Sequence, residues 1–285
     1  MTHRRLFLVV GLIALVCAGC DWPNIVPSGP APLRYRDTVF GGVTKTSNIT
    51  YGSATNAENQ NVTLQFDLYQ PTGDTVTARP TIVWVHGGSF SGGDKTSPEL
   101  VDEATMLGEE GYVSASINYR LEPGGCSASR PTQACITAIQ EATQDAQTAV
   151  KFLRDHASTY GIDPTRVAIG GSSAGAITAL QVGYATSENP QYAVRAVQSL
   201  SGANLLSQIS AGDAPALLFH GTADTTVPYQ WAVNTYNSAK AAGLDVYLES
   251  WSGQGHVPYV QNRTQILNQT SNFFYAELDA RHAAQ

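Results

Sequence analysis

Arg166-Val167-Ala168-Ile169-Gly170-Gly171-Ser172-Ser173-Ala174-Gly175 decides the fold of this 285-residue chain. Residues 166–169 carry the short apolar pattern of a buried strand, and the small residues from Ala174 to Tyr184 read as a helix directly after it. Between them, Gly171-Ser172-Ser173-Ala174-Gly175 has the spacing G-x-S-x-G. A serine on so sharp a strand-to-helix turn stands proud of the sheet, and small flanking glycines let strand and helix approach each other. The helix N-terminus behind it stabilises developing negative charge. The pentapeptide alone has many chance matches. Set between a buried strand and a helix, it makes Ser173 a candidate nucleophile.

Outward from this turn, strand and helix patterns alternate. Asn61–Tyr69 alternates Val62, Leu64, Phe66 and Leu68 as a half-buried strand, and Thr81–Val85 is an apolar run ending at His86-Gly87-Gly88-Ser89-Phe90. Pro98–Gly108 has a helix pattern and Val113–Ile117 that of a strand. Ala138–Tyr160 is the longest helix signal, with Ala142, Ala146, Ala149, Val150, Leu153 and Ala157 at helical spacing and Gly161 as its stop. Val194–Leu200, Ala216–Phe219 and Val246–Glu249 read as further strands, with helices at Tyr229–Ala242 and after Pro258. Such alternation predicts one α/β domain with a mostly parallel sheet covered on both faces.

Candidate chemistry lies at the strand ends. Glycines at 87 and 88 allow backbone N–H groups to face a substrate oxygen without side chains in the way. Asp224 stands in Phe219-His220-Gly221-Thr222-Ala223-Asp224-Thr225-Thr226-Val227-Pro228, which begins at a strand end. An Asp in a turn often only caps it. Farther on, Gly253-Gln254-Gly255-His256 forms a glycine loop beyond the strand Val246–Glu249. His256 has few rivals as a general base, since His3 is N-terminal, His156 lies in a helix and His282 in the tail. His86 comes too early in the chain for the order Ser173, Asp224, His256, which is the α/β-hydrolase order and not the trypsin-like or subtilisin-like one.

These residues resemble the carboxylesterase and hormone-sensitive-lipase-like branch of the α/β-hydrolases, including its small acetyl- and feruloyl-esterase relatives. The likeness runs from about Asn61 to Pro258 and takes in Asn118-Tyr119-Arg120-Leu121, Asp145-Ala146 and Tyr160-Gly161-Ile162-Asp163-Pro164-Thr165-Arg166-Val167. It implies an α/β-hydrolase fold in which Ser173 attacks an ester carbonyl, His256 shuttles the proton and Asp224 fixes the imidazole. The segment around Asp224 resembles the HGxxDxxVP stretch that presents the acid in this fold. The HGG-type loop implies an oxyanion hole built from Gly87 or Gly88 together with Ala174, the residue after the nucleophile. Such acyl transfer needs no metal or organic cofactor.

Two departures from the family pattern matter. Only about fifty residues separate Ser173 from Asp224, leaving no room for a large lid, and Ser89 stands where many relatives carry a third glycine. A small or absent lid favours short-chain acyl esters, or esters linked to a polymer such as polysaccharide. The same fold hosts serine peptidases and inactive binding proteins. Both stay open, and p-nitrophenyl acetate against an aminoacyl nitroanilide separates them.

Composition narrows the partners. Hydrophobic residues make up 42% of the chain and charged ones 14%, a globular composition. Without residues 1–20, which hold Arg4 and Arg5, 14 basic and 23 acidic side chains remain, a net charge of −9. That acidic balance argues against nucleic acid as a partner. The sequence leaves the oligomeric state open.

Residues 1–20 read as a targeting segment: His3, Arg4 and Arg5 open it, and the apolar run Leu6–Cys17 is too short for a membrane span. Its end, Cys17-Ala18-Gly19-Cys20, resembles a bacterial lipoprotein signal, which implies a lipidated Cys20 and an enzyme held at the cell envelope, with membrane contact through that anchor alone. Cys17 departs from the aliphatic residue of the pattern, and simple secretion or an uncleaved anchor helix stays open. Residues 21–36, with Pro23, Pro27, Pro30 and Pro32, read as a tether to a catalytic domain spanning 37–285. The remaining cysteines, Cys126 and Cys135, lack the further ligands of a structural zinc site, and in an oxidising compartment they read as a disulfide closing a surface loop.

Overall fold

The computed structural model describes residues 30–126, 132–185 and 189–279. Eight strands form one sheet: β1 (Val43–Thr55), β2 (Asn61–Pro71), β3 (Arg79–Val85), β4 (Val113–Ile117), β5 (Ile162–Ser172), β6 (Val197–Leu200), β7 (Ala216–Gly221) and β8 (Val246–Trp251). Their order is β1-β2-β4-β3-β5-β6-β7-β8. β1 with β2 and β2 with β4 pair antiparallel, and every later pair is parallel. Among the described residues six α-helices accompany them: α1 (Pro98–Glu110), α2 (Gln133–Asp155), α3 (Ala157–Tyr160), α4 (Ala174–Gly183), α5 (Tyr229–Ala241) and α6 (Tyr259–Glu277). This is the α/β-hydrolase architecture.

Alternation along the strands divides the core into two layers. Val83 and Val85 of β3, Val167 and Ile169 of β5 and Leu218 of β7 face the side covered by α2 and α4. Ile82, Trp84, Ala168, Leu217 and Phe219 face the other side, where Leu100 and Leu107 of α1 and Ile266 and Phe274 of α6 pack. Both faces of the central strands are therefore apolar, as expected of parallel strands between helices.

Three boundaries differ from the sequence expectation. β1 has no counterpart in it, because this edge strand is polar and largely exposed, with only Tyr51 buried along its length. α2 starts earlier than Ala138 because the Thr132 hydroxyl caps it, accepting the Cys135 N–H at 3.2 Å. The same signal also breaks at His156, whose ring stacks on Phe152 4.1 Å away, before α3 ends at the left-handed Gly161.

The end of the stretch read as a tether is docked on the domain. Tyr35 is fully buried, its N–H donates to Glu110 O at 2.7 Å, and Arg34 pairs with Asp74. Tyr35 against the end of α1 and a charge pair from Arg34 to the turn after β2 hold Leu33–Arg36 on the domain, a signal that the neighbouring prolines obscure. Residues 1–20, Cys20 among them, and residues 21–29 lie outside the described residues.

Candidate active site

Ser173 sits at the turn between β5 and α4, with φ 53° and ψ −118°. A non-glycine residue rarely adopts this left-handed backbone, which costs on the order of 1–3 kcal/mol and persists only where the surroundings enforce it. Here the enforcement is close packing around the elbow. A Cβ on Gly175 would lie 1.9 Å from Val85 O, and one on Gly171 would lie 2.5 Å from the same oxygen. The Ser173 N–H donates to Leu200 O at 2.8 Å. The neighbouring Ser172 points away, buried, and donates to Glu99 Oε1 of α1 at 2.6 Å.

The loops after β7 and β8 bring two further side chains to Ser173. His256 Nε2 lies 2.7 Å from Ser173 Oγ, and His256 Nδ1 lies 2.7 Å from Asp224 Oδ2. A hydroxyl, an imidazole and a carboxylate stand in series, the geometry of a nucleophile, a base and a group that orients the base. Asp224 Oδ1 accepts the Thr226 and Val227 N–H groups at 2.9 and 3.0 Å. Burial works to raise the Asp224 carboxyl, but hydrogen bonds from His220, His256 and Val227 outweigh it and hold the group well below the usual carboxylate range. Asp224 is thus an ionised partner for the imidazole throughout the neutral range.

The glycine loop after β3 packs directly against the elbow. A Cβ on Gly87 would lie 3.2 Å from that of Ser173, and Gly88 turns the chain with φ 115°. Ser89 and Phe90 follow with φ of 54° and 60°, so Ser89 takes the conformation that a third glycine would occupy without strain. His86 is buried with its ring stacked on Tyr119 4.4 Å away, and burial lowers its basicity.

Beside Ser173 opens a cleft of about 460 Å³, lined by Ser89, Phe90, Ser91, Gly124, Gly125, Cys126, Ala174, Ile177, Thr225, Thr226 and Val227. Ala174 reaches it, while Gly87 and Gly88 stand behind Ser89 in the chain. Cys126 and Cys135 form the expected disulfide, with Cα atoms 4.5 Å apart, and it ties this wall of the cleft to α2. Gly124 and Gly125 escaped the sequence reading although Pro123-Gly124-Gly125 is a turn signal. Ser89, Phe90, Thr225 and Thr226 carry no comparable signal as cleft residues. The described residues hold no cluster of three or more metal-binding side chains.

Comparison with known proteins agrees with this picture. Residues 66–199 match the family model described as BD-FAE. Esterase 2 of Thermogutta terrifontis, solved phosphoramylated by tabun, superposes with a TM-score of 0.67 over 83% of this chain and 95% of that one, at 20% identity. The chain has the α/β-hydrolase fold, and its sequence is similar to carboxylesterases and lipases. Among curated relatives of this α/β-hydrolase, secreted lipase 5 of Gibberella zeae is 24% identical over 168 residues, 55% of this chain and 31% of the relative. The para-nitrobenzyl esterase of Bacillus subtilis is 30% identical over 105 residues, 35% of this chain and 20% of the relative. The chain thus spans less than a third of the length of either curated relative.

Proposed function

We propose that this α/β-hydrolase is a serine carboxylic-ester hydrolase. The observation that carries the reading is the series Ser173 Oγ, His256 and Asp224, with both contacts at 2.7 Å, at the edge of an open cleft. Ser173 attacks the ester carbonyl as His256 Nε2 takes its proton, and the same nitrogen returns it to the leaving alcohol. The Ala174 amide at the start of α4, with an amide of the Gly87–Gly88 turn, stabilises the oxyanion. Water then releases the acid by the same proton path. Asp224 stays ionised and holds the imidazole in the tautomer that accepts at Nε2.

The cleft supports a substrate class. Short-chain acyl groups, or acyl esters carried on a polymer, suit a site lined by Ser89, Ser91, Thr225 and Thr226 hydroxyls and by small residues of the 124–126 turn. The named relatives, esterases and a lipase, support ester hydrolysis and leave the natural ester unspecified. Purified enzyme should hydrolyse p-nitrophenyl acetate and leave an aminoacyl p-nitroanilide intact. Ser173→Ala should abolish both turnover and labelling by a fluorophosphonate, while Ser172→Ala keeps most of each. Full-rate labelling of the Ser173→Ala protein would overturn the assignment.

The N-terminal sequence supports a location as well. We infer that the enzyme is exported and held at a bacterial cell envelope by a lipidated Cys20, a reading with which the Cys126–Cys135 disulfide is consistent. Cys20→Ser should release the enzyme from membranes with its catalysis intact. An unmodified N-terminus on freely secreted protein, found by mass spectrometry, would make the signal an ordinary secretory one.

A further inference from the structure

We propose that His220, which lies outside the triad, is a positioning residue: its Nε2–H holds the carboxylate oxygen of Asp224 that faces His256. The inference rests on the reading of Ser173, His256 and Asp224 as a triad.

His220 lies at the C-terminal end of β7, four residues before Asp224, with its side chain 1% exposed. Nε2 is 2.9 Å from Val227 O and 3.2 Å from Asp224 Oδ2. Both neighbours are acceptors, so the ring must carry its proton on Nε2. Nδ1, on the opposite edge, is buried with no hydrogen-bond partner among the described residues. A buried, unpaired polar atom destabilises the fold. A ring kept for packing alone would avoid that cost by being apolar. What the imidazole provides in return is the forked donation from Nε2.

That donation has a definite consequence. Oδ2 is the oxygen that also meets His256 Nδ1 at 2.7 Å, so two imidazoles meet at one carboxylate oxygen. Oδ1 is already fixed by the Thr226 and Val227 N–H groups. Val227 therefore closes a ring of hydrogen bonds, its N–H to Asp224 and its carbonyl to His220. The carboxylate cannot rotate without breaking this ring, and His256 keeps its aim at Ser173. The titratable side chains facing this pair among the described residues are His256 and the ring of Tyr229, 5.8 Å from that of His220.

The test compares His220→Leu, which removes the donor, with His220→Gln, which keeps an N–H in reach, in the full chain with p-nitrophenyl acetate. His220→Leu should lose roughly 10–100-fold in kcat with KM changed less than about 3-fold. His220→Gln should recover most of the rate. A folded His220→Leu enzyme with wild-type kcat would overturn the proposal. Should that variant not fold, ¹⁵N NMR of the wild-type imidazoles decides: a proton on Nε2 and a bare Nδ1 of His220 support the role, and a proton on Nδ1 in place of Nε2 ends it. Ser173→Ala, assayed alongside, separates the two levels. Undiminished hydrolysis in that variant removes the triad reading, and this inference with it, whereas an inactive Ser173→Ala beside an unaffected His220→Leu removes only the role of His220.

Discussion

Asp224 Oδ2 lies 2.7 Å from His256 Nδ1, and the Asp224 side chain is fully buried while His256 is 24% exposed. The carboxylate is thus the fixed member of the pair, held at the end of β7 by its own turn, and the imidazole is the member that meets solvent and substrate.

Asp224→Asn keeps the shape of the turn and offers His256 an amide where it had a carboxylate. The imidazole then loses the partner that selects its tautomer, and kcat should fall by about 10⁴ with the fold intact. Steady-state kinetics alongside circular dichroism checks this. A well-folded variant within tenfold of wild type would show that Asp224 only caps its turn.

Gly175→Ala tests the elbow itself. The added methyl would lie 1.9 Å from Val85 O and 2.7 Å from His86 O, both backbone atoms that cannot step aside. Strand β3 and helix α4 must separate, carrying Ser173 with them. We expect a loss of at least about 2 kcal/mol in stability together with most of the activity. Wild-type thermal stability in this variant would contradict the packing described here.

Much of this site was legible in the sequence because its chemistry sits at strand ends, and strand ends are marked. Ser173 lies between glycines after a buried strand, His256 follows Gly253 and Gly255, and the chain order supplied the pairing with Asp224. Residues that share the site without such a mark were legible only as parts of a loop, Ser89 as the place of a missing third glycine and not as a wall of the cleft. Ser89 and Phe90 take left-handed backbone without being glycines. The reach of His220 to Asp224 depends on how a four-residue turn curls. Strand β1 was missed because an exposed edge needs few apolar residues, and Leu33–Arg36 because docking by one tyrosine and one ion pair leaves no periodicity to read.

Arg120 and Asp145, noted separately in the sequence, meet in the structure. The Arg120 Nη2 lies 2.9 Å from Asp145 Oδ1, and the Arg120 N–H donates to Asp145 Oδ2 at 2.8 Å. The guanidinium also donates to Thr55 O and Glu141 O, joining β1, α2 and the loop after β4. Removing one partner strands a buried charge, so Arg120→Met should cost roughly 3–5 kcal/mol. Arg120→Lys should recover little, since an ammonium cannot reproduce the planar fork. Urea denaturation of the two variants measures both, and a fully restored lysine variant would refute the geometric argument.

Glu110, at the end of α1, is buried beside Ser271, whose Oγ is 2.8 Å from Glu110 Oε2. Burial pushes its carboxyl from 4.5 up to about 8. Below pH 4.5 the group is protonated in both folded and unfolded chains and has no effect. Between pH 4.5 and about 8 the unfolded chain releases the proton and the folded one keeps it, so stability falls by up to about 1.4 kcal/mol per pH unit. Glu110→Gln imitates the protonated form and should leave stability near wild type at pH 4.5, yet exceed it by a margin that grows towards pH 8. Denaturation at pH 5 and pH 8 reads this directly, and an equal margin at both would exclude the carboxyl as its source.

The disulfide closes the cleft wall at Cys126, and we expect it to affect substrate choice. Cys126 lines the cleft, and Cys135 is buried in the first turn of α2, anchored where the Thr132 hydroxyl caps the helix. Cutting the bond in a Cys126→Ala, Cys135→Ala double variant frees a closed loop of about nine residues, which by the chain-entropy account lowers stability by roughly 2–3 kcal/mol. Ser173, His256 and Asp224 are held by other elements, so hydrolysis of p-nitrophenyl acetate should keep a kcat within a few-fold of wild type. Longer or bulkier esters must press on the 124–126 turn, and their KM should change most. A panel of acyl lengths measured on both proteins tests this, and the same ratio of KM values at every length would show that this wall does not select the substrate.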